Sequence, residues 1–222
     1  MSDAPESGKA DIRLFLVLHE TFRRYLRRIA AAGAAIAPGD IARADVVRER
    51  WAFFERTLTH HHEGEDAKLF PALLARRHGF ERVRGELHAD HEVVAGEMEA
   101  VDAAFTARAG RCDAADVATL VAALGALEQT LVPHLDREDA EVLPMIADGI
   151  PPAEWDELSE EQLESIPKHD LGFAVAALDE TIATVPADEQ PPPPPLPVRL
   201  MLALSWRRRW RRFMAPLDVR PS

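Results

Sequence analysis

Apolar positions recur at three- and four-residue intervals along most of the chain and rarely alternate. Over 11–32, Leu14, Leu18, Phe22, Leu26 and Ile29 fall on one stripe, the pattern of an amphipathic helix. Pro38-Gly39-Asp40 closes that run, and Asp40 is placed to cap the next helix. Helical periodicity continues over about 42–77 and 80–107. Asp113 then opens a fourth run that stops near 147, before Asp148-Gly149 and Pro151-Pro152. Two shorter helices are expected over about 153–165 and from Pro167 to about 184. Long helices with short connections pack as antiparallel neighbours. The expected fold is therefore all-α: an up-down antiparallel four-helix bundle over 10–148, with additional C-terminal helices over 149–185. Pro71, Pro133 and Pro144 lie inside helical patterns, and each predicts a kink or a boundary.

Composition sharpens this picture. An apolar share of 47 % supports a real core. No run of about 18 apolar residues is present, so no membrane span is expected. The start, MSDAPESGKAD, has no apolar segment after a basic patch, and a cytoplasmic location is the expectation. The single cysteine, Cys112, rules out an intramolecular disulfide and any all-cysteine metal site, and it receives no role. A net charge of −12 argues against nucleic acid as a partner.

That charge is uneven. Residues 198–222 form a basic tail, expected to be helical over 198–214, with Trp206, Trp210 and Phe213 on one side. From 196 onward seven arginines, among them Arg220, face one acid, Asp218, which leaves about −18 for the rest of the chain. Residues 186–197 include five consecutive prolines and read as an extended linker. The tail is expected to dock on the acidic bundle or to support a homo-oligomer, in preference to a membrane surface.

An internal repeat locates the chemistry. At a shift of 73 positions, Glu55, Thr57, Leu58 and His61 match Glu128, Thr130, Leu131 and His134. Glu65-Asp66-Ala67 matches Glu138-Asp139-Ala140, and Leu69-Phe70-Pro71 matches Val142-Leu143-Pro144. One residue of slip pairs His19-Glu20 with His91-Glu92. His61 and Glu65 lie four residues apart, about 6 Å along one helix face, as do His134 and Glu138. With His19 and His91 on the first and third helices, all four helices offer ligands to one central point. Four imidazoles and two carboxylates suit iron, manganese or zinc better than calcium or magnesium, and they exceed what one tetrahedral zinc needs. A lone His-x-x-x-Glu is usually a solvated face, but two in matching contexts, each with its own upstream histidine, point to two metals.

These residues resemble the hemerythrin-like, or HHE cation-binding, family. The likeness rests on His19, His61-x-x-x-Glu65, His91 and His134-x-x-x-Glu138, each pair followed by a proline-ended apolar segment, and covers about 10–148. The resemblance implies a four-helix bundle around a non-haem di-iron centre. It implies His19 and His61 on one iron, His91 and His134 on the other, and Glu65 and Glu138 bridging, with a solvent-derived oxygen. The oxygen carriers of the family differ: two histidines four apart on helix 3 and His-x-x-x-x-Asp on helix 4. Here His88 precedes His91 by three, so His88 is a candidate additional ligand, and His62, beside His61, is another. His60 is placed further from the site, and His78 and His169 read as surface residues.

With two histidines per iron, both irons would keep an open position. The pattern resembles actinobacterial hemerythrin-like proteins, and it implies a di-iron protein reacting with hydrogen peroxide, by disproportionation. The alternatives are reversible binding or sensing of dioxygen or nitric oxide, iron handling without turnover, and a structural metal in an interaction protein. No glutamate stands three residues before any histidine, which disfavours a ferritin-like centre, and His62-Glu63 lacks the second histidine of a zinc protease.

Overall fold

A computed structural model describes residues 8–77, 79–107 and 110–218; His78 and Arg220 lie outside the described residues. Among those described, every regular element is a helix. The bundle consists of α1 (Arg13–Ala34), α2 (Ile41–Gly64), α3 (Phe70–Leu74), α4 (Phe80–Ala107), α5 (Ala114–Arg137) and α6 (Leu143–Gly149). Helix α1 packs on α2 and α5, and α4 packs on the same two, which closes a four-helix ring. The polar punctuation acts as its chemistry requires. Asp40 accepts a hydrogen bond from the Arg43 N–H at 2.9 Å, and Asp113 and Asp116 form a reciprocal capping box on α5.

Two of the prolines reshape their helices. Pro71 and Pro144 lack an N–H, and their rings crowd the carbonyl four residues back. In each case that carbonyl lies in a π-helical turn, Glu65–Leu69 or Glu138–Val142. The turn closes with the amide of Phe70 on Glu65 O, and that of Leu143 on Glu138 O. The helical run expected to continue to 77 is therefore α2, a π turn and α3, ending at Leu74. Pro133, by contrast, stays inside α5. Both of these π turns begin at the glutamate of a His-x-x-x-Glu pair, and such turns concentrate at functional sites.

The core is interrupted where the histidines stand. Leu26, Ile29, Trp51, Phe54, Leu58, Leu124, Leu127 and Leu131 belong to one buried apolar cluster. Leu69, Phe70, Leu73, Phe80, Leu87, Leu143 and Ile146 belong to a second. Along α4, His91 falls between Leu87 of the second cluster and Val94 of the first. Along α2 and the π turn that follows it, His61 comes after Leu58 of the first and before Leu69 of the second. The segment from Ala114 to Gly149 is long and apolar enough to cross a membrane by composition. Here its leucines pack in the core and it carries His134 and Glu138 inward.

Helix α7 (Pro152–Ser165) covers the end of α2. The Gln162 side-chain amide donates to His60 O at 2.8 Å, and at Gly64 even a methyl group would strike Gln162. Helix α8 (Lys168–Ile182) and the tail pack along α1 and α2. The tail helix begins at Leu196 as α9 (Leu196–Met201) and runs through a π turn into α10 (Arg207–Met214). Leu202, Trp210, Met214 and Leu217 are buried in the first cluster. The Arg207 guanidinium donates two hydrogen bonds to Asp179, each 2.6 Å, and Arg28 pairs with Asp218 at 2.8 Å. The exposed ion pairs contribute little; the buried indole contributes most. Trp210 packs against Tyr25, Phe53 and Phe213. Replacing it with alanine is expected to cost about 3–5 kcal/mol in urea unfolding. A change within the noise of the measurement would mean that the tail is not part of the cooperative unit.

Candidate metal centre

Seven buried side chains converge at the break in the core. His19, His61, Glu65 and Glu138 have ligand atoms within 4.8 Å of one another, and so do His62, His91 and His134. The two glutamates stand between these groups. Glu65 Oε1 is 3.4 Å from His61 Nε2, and its Oε2 is 3.5 Å from His91 Nε2. Glu138 Oε2 is 3.6 Å from His19 Nε2 and 3.4 Å from His134 Nε2, and its Oε1 is 3.9 Å from His91 Nε2. Each carboxylate thus reaches both sets of imidazoles.

The local folding that brings them together is simple. Helical spacing stacks His61 over Glu65 and His134 over Glu138. His62 sits one residue round α2, far enough to turn toward α4, and its ring stacks on His91 with centroids 4.1 Å apart. The sequence expectation placed His61 and His134 in corresponding roles; the structure adds His62 on the side of His134. His88 goes elsewhere. It is exposed, and its Nδ1 lies 3.2 Å from Asp66 Oδ2. His60 meets Gln162 and Ser165 on α7, and His169 is an exposed neighbour of Asp170.

Behind the histidines stands a set of carboxylates that sequence reasoning did not single out. His19 Nδ1 donates to Asp139 Oδ1 at 2.6 Å, and His91 Nδ1 to Asp66 Oδ2 at 3.1 Å. The two contacts are repeat mates with their halves exchanged: Asp66 follows Glu65 and orients the histidine of α4, while Asp139 follows Glu138 and orients that of α1. Asp90 lies 3.7 Å from His134 Nδ1 and also pairs with Arg137. A proton fixed on Nδ1 leaves the Nε2 lone pair free and raises its donor strength. The repeat carried the signal, since Glu-Asp recurs in both copies. Asp66→Asn and Asp139→Asn are each expected to weaken metal affinity by about 10–100-fold, read by competition titration with a chromophoric chelator. Unchanged affinity in both would exclude this orienting role.

The electrostatics suit a cation. Burial holds His19 below the usual imidazole range. Burial, then the neighbouring imidazoles, hold His61 and His62 well below it, and push His134 down to about 3. Burial, reinforced by Asp66, pushes Glu65 well above the carboxylate range, and burial with the charge of Glu65 does so for Glu138. His19, His61, His62 and His134 are thus held as neutral donors, and the two carboxylates sit where only positive charge would let them ionise. Buried polar atoms at this point have no hydrogen-bond partner: Nε2 of His62, His91 and His134, Oε2 of Glu65, and both carboxylate oxygens of Glu138. His19, its Nδ1 proton committed to Asp139, aims its Nε2 lone pair at His61 Nε2 only 3.1 Å away. Such orphaned donors in a dry site are expensive unless a metal satisfies them.

A family model, the hemerythrin HHE cation-binding domain, matches residues 10–146. The chain belongs to that family. The matched span ends within α6, so the hemerythrin domain contains every residue of the centre, while α7, α8 and the tail lie beyond it. No curated protein and no solved structure matches the chain. The donor set of this hemerythrin domain, five imidazoles and two shared carboxylates, fits a metal cofactor of the borderline kind.

Proposed function

We propose that the chain holds a non-haem di-iron centre whose reactant is a small oxidant, engaged at the side of His19 and His61. The observation that carries this reading is the unequal division of the imidazoles, with His62, His91 and His134 on one side and His19 and His61 on the other. Bound iron supplies an electron-rich metal pair able to bind dioxygen or nitric oxide, or to exchange electrons with peroxide. A metal held by His62, His91 and His134 would be the more nearly filled, so an exogenous ligand would have its place on the side of His19 and His61. That place is apolar. Phe15 stands 4.8 Å from the His19 ring and 5.2 Å from that of His61, and Phe22 stands 5.2 Å from His61. These rings give that place an apolar wall, which favours a small uncharged molecule over a charged one.

The asymmetry supports reversible binding of dioxygen or nitric oxide as the first reading. Peroxide disproportionation is the second, favoured by one contact. Asp139, partly exposed, accepts a hydrogen bond from His19 Nδ1 at 2.6 Å and pairs with Arg23 at 2.6 Å, contacts that hold it ionised against its burial, and so stands as a base next to the open side. The discriminating experiment loads the protein with iron and records metal content and the optical spectrum, before and after exposure to oxygen and to hydrogen peroxide. About two irons per chain and a lasting coloured adduct with oxygen support the binding reading. Oxygen evolution from peroxide above that of free iron supports turnover. No bound iron, or iron whose spectrum responds to neither, overturns both.

A further inference from the structure

The tryptophans of the chain stand in unlike chemical surroundings. Trp51, wholly buried on α2, donates its indole N–H to Asp102 Oδ1 on α4 at 2.7 Å. Asp102 is half-buried and pairs with Glu55, whose carboxyl is pushed up to about 7 by burial and by its contact with Asp102. The Trp51 ring packs on Phe54 with centroids 5.6 Å apart, Phe54 meets Phe22 at 5.9 Å, and Phe22 meets His61 at 5.2 Å. A continuous run of rings thus joins Trp51 to the open side of the centre. Trp155 lies nearer, with only Phe15 between it and His61, but its indole N–H donates to the backbone carbonyl of Asp11 at 2.9 Å. The Tyr25 hydroxyl likewise donates to a backbone carbonyl, that of Arg50.

This difference matters for oxidation. An indole that loses an electron becomes strongly acidic, and its oxidised form is held where a base takes the N–H proton. A carboxylate can take it and a peptide carbonyl cannot. We propose that Trp51 is a redox-active residue that gives one electron to the metal centre through Phe54, Phe22 and His61 when a peroxide has oxidised that centre, its Nε1 proton passing to Asp102. The step breaks the Nε1–H bond of Trp51 and forms an O–H bond on Asp102. It leaves a neutral indolyl radical and lowers the oxidation level of the centre by one, the centre gaining the electron that Trp51 loses. A small one-electron donor of the phenol or ascorbate class, approaching the half-buried Asp102 and Glu55, returns the electron, and a proton returns through Asp102. Two such turns reduce one peroxide to two waters with two electrons and two protons from two donor molecules. The activity is thus of the peroxidase kind, and it rests on the reading of the centre as redox-active iron. Trp210 also donates to a carboxylate, Glu180 Oε2 at 2.5 Å, but reaches the same run of rings only through Tyr25.

The test is electron paramagnetic resonance of iron-loaded full-length protein, freeze-quenched after adding hydrogen peroxide, with the optical spectrum read on the same samples. The expected signal is a protein radical whose hyperfine pattern changes on ring-deuteration of tryptophan. Trp51→Phe is expected to lose it and Trp155→Phe to keep it. Asp102→Asn leaves the indole in place and removes the base, so the neutral radical is expected to vanish or to give way to the protonated form. This variant decides the matter even if Trp51→Phe folds poorly. An optical spectrum that peroxide leaves unchanged overturns the iron reading and this inference together. A changed spectrum without a tryptophan signal, or with one unaffected by Trp51→Phe or by Asp102→Asn, overturns this inference alone.

Discussion

Stripping the metal with a chelator is expected to lower the thermal unfolding midpoint by roughly 10 °C near pH 8. A site occupied at a thousand times its dissociation constant adds about 4 kcal/mol. For a chain of this size, about 1 kcal/mol moves the midpoint by about 2–4 °C. The pH dependence carries a sharper signature. The folded values of His19, His61, His62 and His134 are depressed by burial. Below about pH 6.5 the unfolded chain binds protons that the folded metal-free chain does not, so stability is lost as pH falls through that value. Glu65 and Glu138 act in the opposite sense. Their raised folded values keep protons that the unfolded chain releases near pH 4.3, so stability is lost as pH rises from there. Between these two limits four imidazoles outweigh these two carboxyls and Glu55, raised to about 7, and above about pH 7 only Glu65 and Glu138 count. Metal-free protein should therefore be most stable near pH 6.5 and weaken on either side. Bound cations keep the carboxylates ionised, and the alkaline decline should disappear in the loaded protein. Midpoints of chelated and loaded samples between pH 5 and 9 check this; a chelated sample that gains stability steadily up to pH 9 would refute it.

The repeat made much of the centre legible because two-fold redundancy turns a weak motif into a strong one. His19 with His91, His61 with His134 and Glu65 with Glu138 each have a mate at nearly constant shift, and the structure brings all six together. The same reasoning undervalued His62, whose mate is Leu135, a core residue. Symmetry cannot reveal a residue that breaks it, and here the break makes one side of the centre unlike the other. It also left His88 open, since i and i+3 share a face; only the exposed position of the α4 turn that carries it settles that His88 meets Asp66 from outside. The prolines announced a disturbance without its form. A π turn depends on which carbonyls find amides five residues on, which periodicity does not encode. In the tail, the arginines suggested attraction to the acidic body, but the contact that seats it is apolar, Trp210 and Met214 in the shared core.

Glu138→Gln separates two effects that a structural role would keep together. The substitution keeps shape and removes the charge. Glu138 reaches His19 on one side and His91 and His134 on the other, so in the proposed two-metal centre it would be shared by both positions. Two unit charges 4 Å apart at an effective dielectric of 20 interact by about 4 kcal/mol, and two dications by four times as much. With one shared carboxylate gone, Glu65 alone does not offset that repulsion, and bound metal is expected to fall from about two ions toward one per chain. His62→Ala should weaken only the three-imidazole side and leave metal on the other. Metal-free Glu138→Gln should nevertheless be more stable than metal-free wild type at pH 8, because the buried carboxylate that resists ionisation is no longer there. Metal analysis by mass spectrometry and urea unfolding of chelated samples measure the two effects separately. A variant that keeps both metals, or one whose metal-free form is less stable than wild type at pH 8, would show that Glu138 does not hold the metals together.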